Sequence, residues 1–542
     1  MKRTLVIFGC GGMILAGGAS AQTLLWTAPG IENVVCVTGA PDIDGDGGPD
    51  VVFETYDAGA PAVDNLFAIR GASSGSGEVI WSARPLGGPS NSGGYGDACL
   101  RFGPDLGGDG FPDVMIGMAW GNRSAFSLDG RTGETQWKFD TYVDSPPVPP
   151  VSGWVYAMAS LEQDLDGDGV PEVVFGTGSD NNGVYCVSGA DGSVFWRYQA
   201  ADAIFDVMTI EDLDNDGIRD VIAGVGDLGQ RVVALSGDGG PGGSSGFVIW
   251  LRDTGSVMSL ARLPDLNGDS YPEVVAGTWR SGAQLRCLSG RNGADLWTGI
   301  VGSNAVRVVT LDDVTGDGFP DIAVGSWLNQ VRVHDGRDGS LAWFKAVGTV
   351  NGGDVWAIDR LEDVTGDGIN DVCAGSFDLN VYVMDGVTGQ IEWQAPVGNR
   401  VFSVRGVGDL NGNGWPDVVA GTQKLTTGGI CYAFEGRDLD PASVPEDASR
   451  FRLSSAVPNP FRDRTEVQLT LAEPAVVSAW VLDTAGRRVA PLQSRALFAS
   501  GQHRLGWDGT DGEGRKLPAG VYYVRVLRDG EGGDDRRVVL VR

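Results

Sequence analysis

The chain has 542 residues, 85 of them glycine and 16 tryptophan, with only two histidines and a net charge of −31. This composition predicts a turn-rich, all-β protein of more than one domain and argues against nucleic-acid partners, which such a negative charge repels. No run after the N-terminal segment is long and apolar enough to span a membrane.

Residues 1–21 read as a secretory signal peptide. Lys2-Arg3 precedes an apolar stretch from Leu5 to Leu15, Ala19-Ser20-Ala21 offers a cleavage site, and the mature chain is expected to start at Gln22. The expected localisation is therefore secreted, extracellular or at a bacterial cell surface. Six cysteines then remain, too few for a disulfide framework. Cys186, Cys287 and Cys431 fall at matching strand positions and read as small buried apolar residues. Cys36 and Cys99 each lie six residues before a loop, in the same register of neighbouring repeats, and are a candidate disulfide.

The organising motif is an acidic loop that runs into a strand. In Asp164-Leu165-Asp166-Gly167-Asp168-Gly169-Val170-Pro171-Glu172, carboxylates at positions 1, 3, 5 and 9 are spaced to converge on one hard cation, with glycine permitting the sharp turn. Calcium fits such an oxygen-only set best. The frame occurs eight times. Full sets are Asp42, Asp44, Asp46 and Asp50; Asp164, Asp166, Asp168 and Glu172; and Asp212, Asp214, Asp216 and Asp220. Asp265, Asn267, Asp269 and Glu273; Asp313, Thr315, Asp317 and Asp321; and Asp363, Thr365, Asp367 and Asp371 carry a neutral oxygen at position 3. The second loop has only Asp105, Asp109 and Asp113, and the last has Asp409, Asn411, Asn413 and Asp417, so these two are expected to bind most weakly. The reading is of up to eight structural Ca²⁺ ions, which also accounts for much of the negative charge.

Interleaved with the loops is a strand, a glycine turn and a tryptophan, as in Gly386-Val387-Thr388-Gly389-Gln390-Ile391-Glu392-Trp393. Seven such tryptophans (81, 137, 196, 250, 297, 343 and 393) stand against eight loops, and the missing one is Trp26 near the start of the mature chain. The bookkeeping implies that the N-terminal strand completes the last repeat. Loop starts are 46 to 63 residues apart, room for four short strands each. We therefore expect an eight-bladed β-propeller over residues 22–437, closed by the N-terminal strand.

The acidic loops resemble the FG-GAP (VCBS) repeats of integrin α-subunits and many secreted bacterial proteins, and the glycine–tryptophan segments resemble the tryptophan-docking motifs of eight-bladed quinoprotein propellers. Both resemblances imply a propeller, and neither implies a ligand. The adjacent cysteine pair of many quinoprotein dehydrogenases is absent. The tryptophans read as packing between blades.

Connections from each tryptophan to the next loop count 15 or 16 residues in five repeats but 24 after Trp81 and 27 after Trp137. These two adjacent insertions carry Tyr95, Tyr142 and Trp154, and with Tyr156 they form a candidate ligand rim. No catalytic residue is assigned: Gly71-Ala72-Ser73-Ser74-Gly75 matches a hydrolase pattern by chance, and His334 sits at a repeated strand position.

A polar linker at 438–450 leads to residues 451–542, where alternating strands such as Val467, Leu469 and Leu471 predict a small Ig-like β-sandwich. Asn459-Pro460-Phe461, Trp507-Asp508-Gly509 and Pro518-Ala519-Gly520-Val521-Tyr522 resemble the Ig-like domain of flagellar hook-capping proteins and the sorting domains of the type IX secretion system. That resemblance implies export or anchoring through outer-membrane secretion machinery. The whole reads as an extracellular binding or adhesion protein for a glycan or protein ligand. The alternative is a polysaccharide lyase-like enzyme on the same scaffold.

Overall fold

The computed structural model describes residues 22–437 except 57–63, 86–91, 94–96, 121–122, 142–152, 241–245, 281–283, 349–352 and 425–427, and residues 452–541 except 454–457, 460, 463, 472–474, 484–486, 499–500, 513 and 529–530. The signal-peptide and linker readings, Tyr95 and Tyr142 lie outside these residues. Among the described residues all regular structure is β, save one 3₁₀ turn at Asp97–Cys99.

Consecutive strands pair antiparallel into four-stranded sheets, numbered here in chain order from sheet 1 (Val34–Ala40, Asp50–Thr55, Leu66–Ile69 and Val79–Ala83). Sheet 8 takes Val401–Val407, Asp417–Thr422 and Ile430–Phe434 from the end of the repeats and its outer strand, Leu24–Pro29, from the N-terminus. Thr27 faces Tyr432 in this pairing, so chain closure is part of a hydrogen-bonded sheet. The inner strands of successive sheets pack side by side, and that of sheet 8 returns to that of sheet 1, which makes the array a ring. This is the β-propeller architecture.

The second strands are buried on both faces, as in Val173–Gly178 or Asp371–Ser376, because one face meets each neighbouring sheet; only the last residue of the sheet 5 strand, Trp279, is half-buried among the described residues. The outer strands alternate, with the tryptophan inward. Every one of these tryptophans donates its indole N–H to a turn glycine of the next sheet: Trp81 to the Gly130 carbonyl (3.1 Å), Trp297 to Gly336 (2.9 Å) and Trp393 to Gly436 (2.6 Å) are examples. Trp26, on the N-terminal strand, does the same to Gly71 at 3.0 Å and so links sheet 8 to sheet 1. In the turns of sheets 2 to 7 the second glycine lies under the ring. At Gly339 (φ +75°) a Cβ would stand 2.5 Å from Trp297, which is why the repeat keeps glycine there.

Cys186, Cys287, Cys373 and Cys431 are fully buried among apolar neighbours. The Cys36 and Cys99 sulfurs, in sheet 1 and at the edge of sheet 2, are 3.5 Å apart, at hydrogen-bond distance and not joined in a disulfide.

The C-terminal region folds as two sheets: Arg452–Leu453, Thr465–Leu471 and Gly501–Trp507 form one, and Arg488–Phe498, Ala475–Asp483, Gly520–Arg528 and Glu531–Leu540 the other. Val467, Leu469, Val477, Val524 and Val538 fill the space between them around Phe461, Trp507 and Tyr522. This is an Ig-like sandwich with its own core.

Candidate metal centres and the aromatic face

The loop connecting the inner to the second strand of each sheet is held by its own backbone. In loop 1 the Asp42 carboxylate accepts from the N–H of Gly45 (2.7 Å), Asp46 (3.0 Å) and Gly47 (2.9 Å), which curls the chain around it. Gly45 and Gly47 both have positive φ, and Asn215 and Ser270 take that strained conformation where their loops lack glycine. The position-5 aspartate caps the turn's exit: Asp46 Oδ1 accepts from Gly48 N at 2.9 Å and Asp168 Oδ1 from Val170 N at 2.8 Å.

The position-9 acid has a role that spacing alone did not reveal. Asp50 accepts from Ile43 N (2.7 Å) within its loop and from the turn glycine Gly71 N (2.8 Å), so one carboxylate joins the acidic loop to the glycine turn. Glycines 130, 237, 290, 336, 386 and 436 donate in the same way to Asp113, Asp220, Glu273, Asp321, Asp371 and Asp417. Burial pushes these acids up: Asp50 to about 6, Asp220, Glu273 and Asp417 to about 7, and Asp371 to about 8.

Three loops bring three carboxylates together with one oxygen of each within 4.8 Å of the others: Asp42, Asp44 and Asp50; Asp164, Asp166 and Glu172; Asp212, Asp214 and Asp220. The position-5 residues Asp46, Asp168 and Asp216 are outside these groups. In the third loop Glu172 is 1% exposed and accepts from Leu165 N through Oε1, while its Oε2 is buried with no hydrogen-bond partner. A buried, unpartnered carboxylate oxygen beside two aspartates is costly unless a cation meets it. The donor set is oxygen only and fits a hard divalent ion. Burial moves Glu172 up to about 7.

Other loops are filled by protein groups. In loop 2 the Gln136 amide donates to Asp113 at 3.0 Å and stands where a side chain on Gly107 would project. In loop 8 the Asn411 and Asn413 amides donate to Glu435.

On the opposite end of the ring, seven inner strands carry a bulge at their second or third residue, among them Tyr156, Phe205, Trp356 and Phe402. Within the predicted rim, Trp154 lies 6.1 Å from Tyr156, which is 7% exposed and packs on Phe205 at 5.1 Å. The larger aromatic feature was missed: Trp279, Trp327, Trp356, Phe377 and Phe402 touch in an unbroken run over sheets 5 to 8, with centroids 4.9, 6.5, 5.5 and 5.7 Å apart. The Arg280 and Arg400 guanidiniums lie over Trp279 and Phe377. Its signal was present in Gly277-Thr278-Trp279, Gly325-Ser326-Trp327 and Gly375-Ser376-Phe377, an aromatic at or just past the end of the second strand.

His334 is structural: it is buried, its Nδ1 meets the Gly339 carbonyl at 3.0 Å, and burial lowers its pKa.

The chain is thus a β-propeller joined to an Ig-like domain. Residues 459–531 match the sequence model of the FlgD Ig-like domain. No curated protein matches the chain in sequence. Among solved structures it resembles Sqt1 of Saccharomyces cerevisiae (13% identity, TM-score 0.53, 77% of this chain and 99% of that one). It is similarly close to the C-terminal WD40 domain of Sif2 (13%, 0.51, 77% and 99%) and to the computationally designed Ika8 protein (12%, 0.50, 76% and 100%). At such identities the likeness is one of fold, and WD40 repeats are propellers.

Proposed function

We propose that the chain is a secreted or cell-surface β-propeller of eight blades that binds calcium and acts as an extracellular binding or adhesion module, exported or anchored through residues 451–542. The observation that carries the calcium reading is the buried, unpartnered Glu172 Oε2 beside Asp164 and Asp166. The metal would hold its loop against the glycine turn, where the preceding sheet's tryptophan is received, and so stiffen the seams of the ring.

The aromatic run on the opposite face supports a binding role. Its rings are partly exposed, and guanidiniums flank them. Toward the acidic-loop end of the inner strands, Arg262 pairs with Glu211 and Arg360 with Asp312 (4.0 Å), and Arg405 lies 4.0 Å from Asp359. The test is a panel of glycans and proteins probed with the full chain, in calcium and in chelator. Calcium-dependent retention that is lost in Trp356→Ala supports the proposal; turnover of a polysaccharide, read as unsaturated sugar ends, would replace it with the enzyme reading.

A further inference from the structure

In loops 1, 4, 5 and 8 the acidic loop meets one more side chain, supplied by the residue just before its turn glycine. In sheet 1 this is Arg70, whose Nε lies 2.5 Å from Asp44 Oδ2 and 4.0 Å from Asp46 Oδ2. In sheets 4 and 5 it is a serine: the Ser236 hydroxyl donates to Asp216 (3.4 Å) and that of Ser289 to Asp269 (3.0 Å). In sheet 8 it is Glu435, which holds both loop asparagines. The identity of this residue follows the loop it faces. In sequence, loops with an acid at position 3 (Asp44, Asp166, Asp214) are followed at the turn by Arg70, Ser188 and Ser236, whereas loops without one (Gly107, Thr315, Thr365, Asn411) are followed by Asp129, Asp335, Asp385 and Glu435. Loop 5, with Asn267 and Ser289, is the single departure.

We propose that this turn residue is a further position of every cation loop and sets whether the loop takes a divalent ion, and that Arg70 makes loop 1 self-neutralised. The inference rests on the calcium reading above. Loops 1 and 3 both gather three carboxylates within 4.8 Å. They differ in what meets that charge. A guanidinium carries its positive charge in place, next to the oxygens that an incoming ion would need, so binding to loop 1 must first displace a charge-assisted hydrogen bond. In loop 3 the Glu172 oxygen stays unpartnered and Ser188 brings no charge. A full acidic motif is thus converted from a metal loop into an ion-pair loop by one side chain outside the motif.

The experiment is calcium titration of the metal-stripped full chain by calorimetry, with stoichiometry as the readout. Arg70→Ser is expected to bind one ion more than the unaltered chain, and Arg70→Lys to bind none more. Asp42→Asn is expected to leave the unaltered chain's stoichiometry unchanged and to abolish the ion gained in Arg70→Ser. Loss of an ion from the unaltered chain on Asp42→Asn, or no gain in Arg70→Ser, would overturn the proposal. Should the unaltered chain take up no calcium, the calcium reading fails, yet Arg70→Ser still decides the point: one ion gained supports it and none refutes it. Circular dichroism of each variant separates lost binding from lost fold.

Discussion

Glycine and tryptophan form the smallest unit of this ring. A Cβ on Gly130 would stand 2.1 Å from the Pro112 carbonyl oxygen, and one on Gly133 would stand 2.5 Å from the Trp81 ring. Gly133→Ala is therefore expected to destabilise by about 1–3 kcal/mol through overpacking, in addition to the strain of a positive φ. Denaturant titration checks it, and an unchanged midpoint would contradict the contact. Trp297→Phe keeps an aromatic ring but leaves the Gly336 carbonyl without its donor, a loss of about 1–3 kcal/mol. The position-9 acids give the ring a pH dependence. All are raised by burial, and Asp50, Glu172, Asp220, Glu273, Asp371 and Asp417 to about 6 to 8, above the unfolded chain, so between about pH 4 and 8 the folded state binds more protons than the unfolded one. Without metal, stability should fall as pH rises through that window. The position-1 acids Asp164 and Asp265 are held below the usual carboxylate range by backbone N–H groups and titrate beneath it. Denaturant midpoints in chelator at about pH 5 and pH 8 test the sign, and a higher midpoint at pH 8 would contradict it.

At the scale of elements, the repeat was readable because two motifs mark the same places in every sheet. The acidic frame marks the entry to a second strand, the tryptophan marks an outer strand, and the count of seven against eight exposed the role of Trp26. The alternation of Val467, Leu469 and Leu471 was likewise visible, and all three are buried in the sandwich core. Other features depend on neighbours that only the ring provides. Trp279 and Trp327 belong to different sheets and come from the ends of second strands, while Trp356 and Phe402 are bulge residues of inner strands; the ring places them side by side. The same holds for Arg70, 26 residues beyond Asp44 in sequence. The rim reading went to loop length and named Tyr156, which packing on Phe205 buries. Position 5 was read as a ligand from its place in the acidic frame; in the structure its Oδ1 accepts from a backbone N–H two residues on, as at Asp46.

For the whole molecule, closure by Leu24–Pro29 makes the first strand and the last sheet one unit. Trp26 contributes both to that sheet and, through Gly71, to the seam with sheet 1. Trp26→Ala removes a fully buried side chain and an indole hydrogen bond at the closure, and is expected to cost about 3–5 kcal/mol. An equal loss from Trp250→Ala would mean that closure is no more sensitive than any other seam. The central claim is that metal in the acidic loops stabilises the ring. Ligand that binds only the folded state stabilises it by RT ln(1 + [L]/Kd) per site, so the melting temperature should climb with calcium concentration. The most direct measurement is the thermal melt of the full chain in excess chelator and across a calcium series. The account predicts the lowest Tm in chelator and a Tm that rises steadily with added calcium; a melt that is the same in both would contradict it.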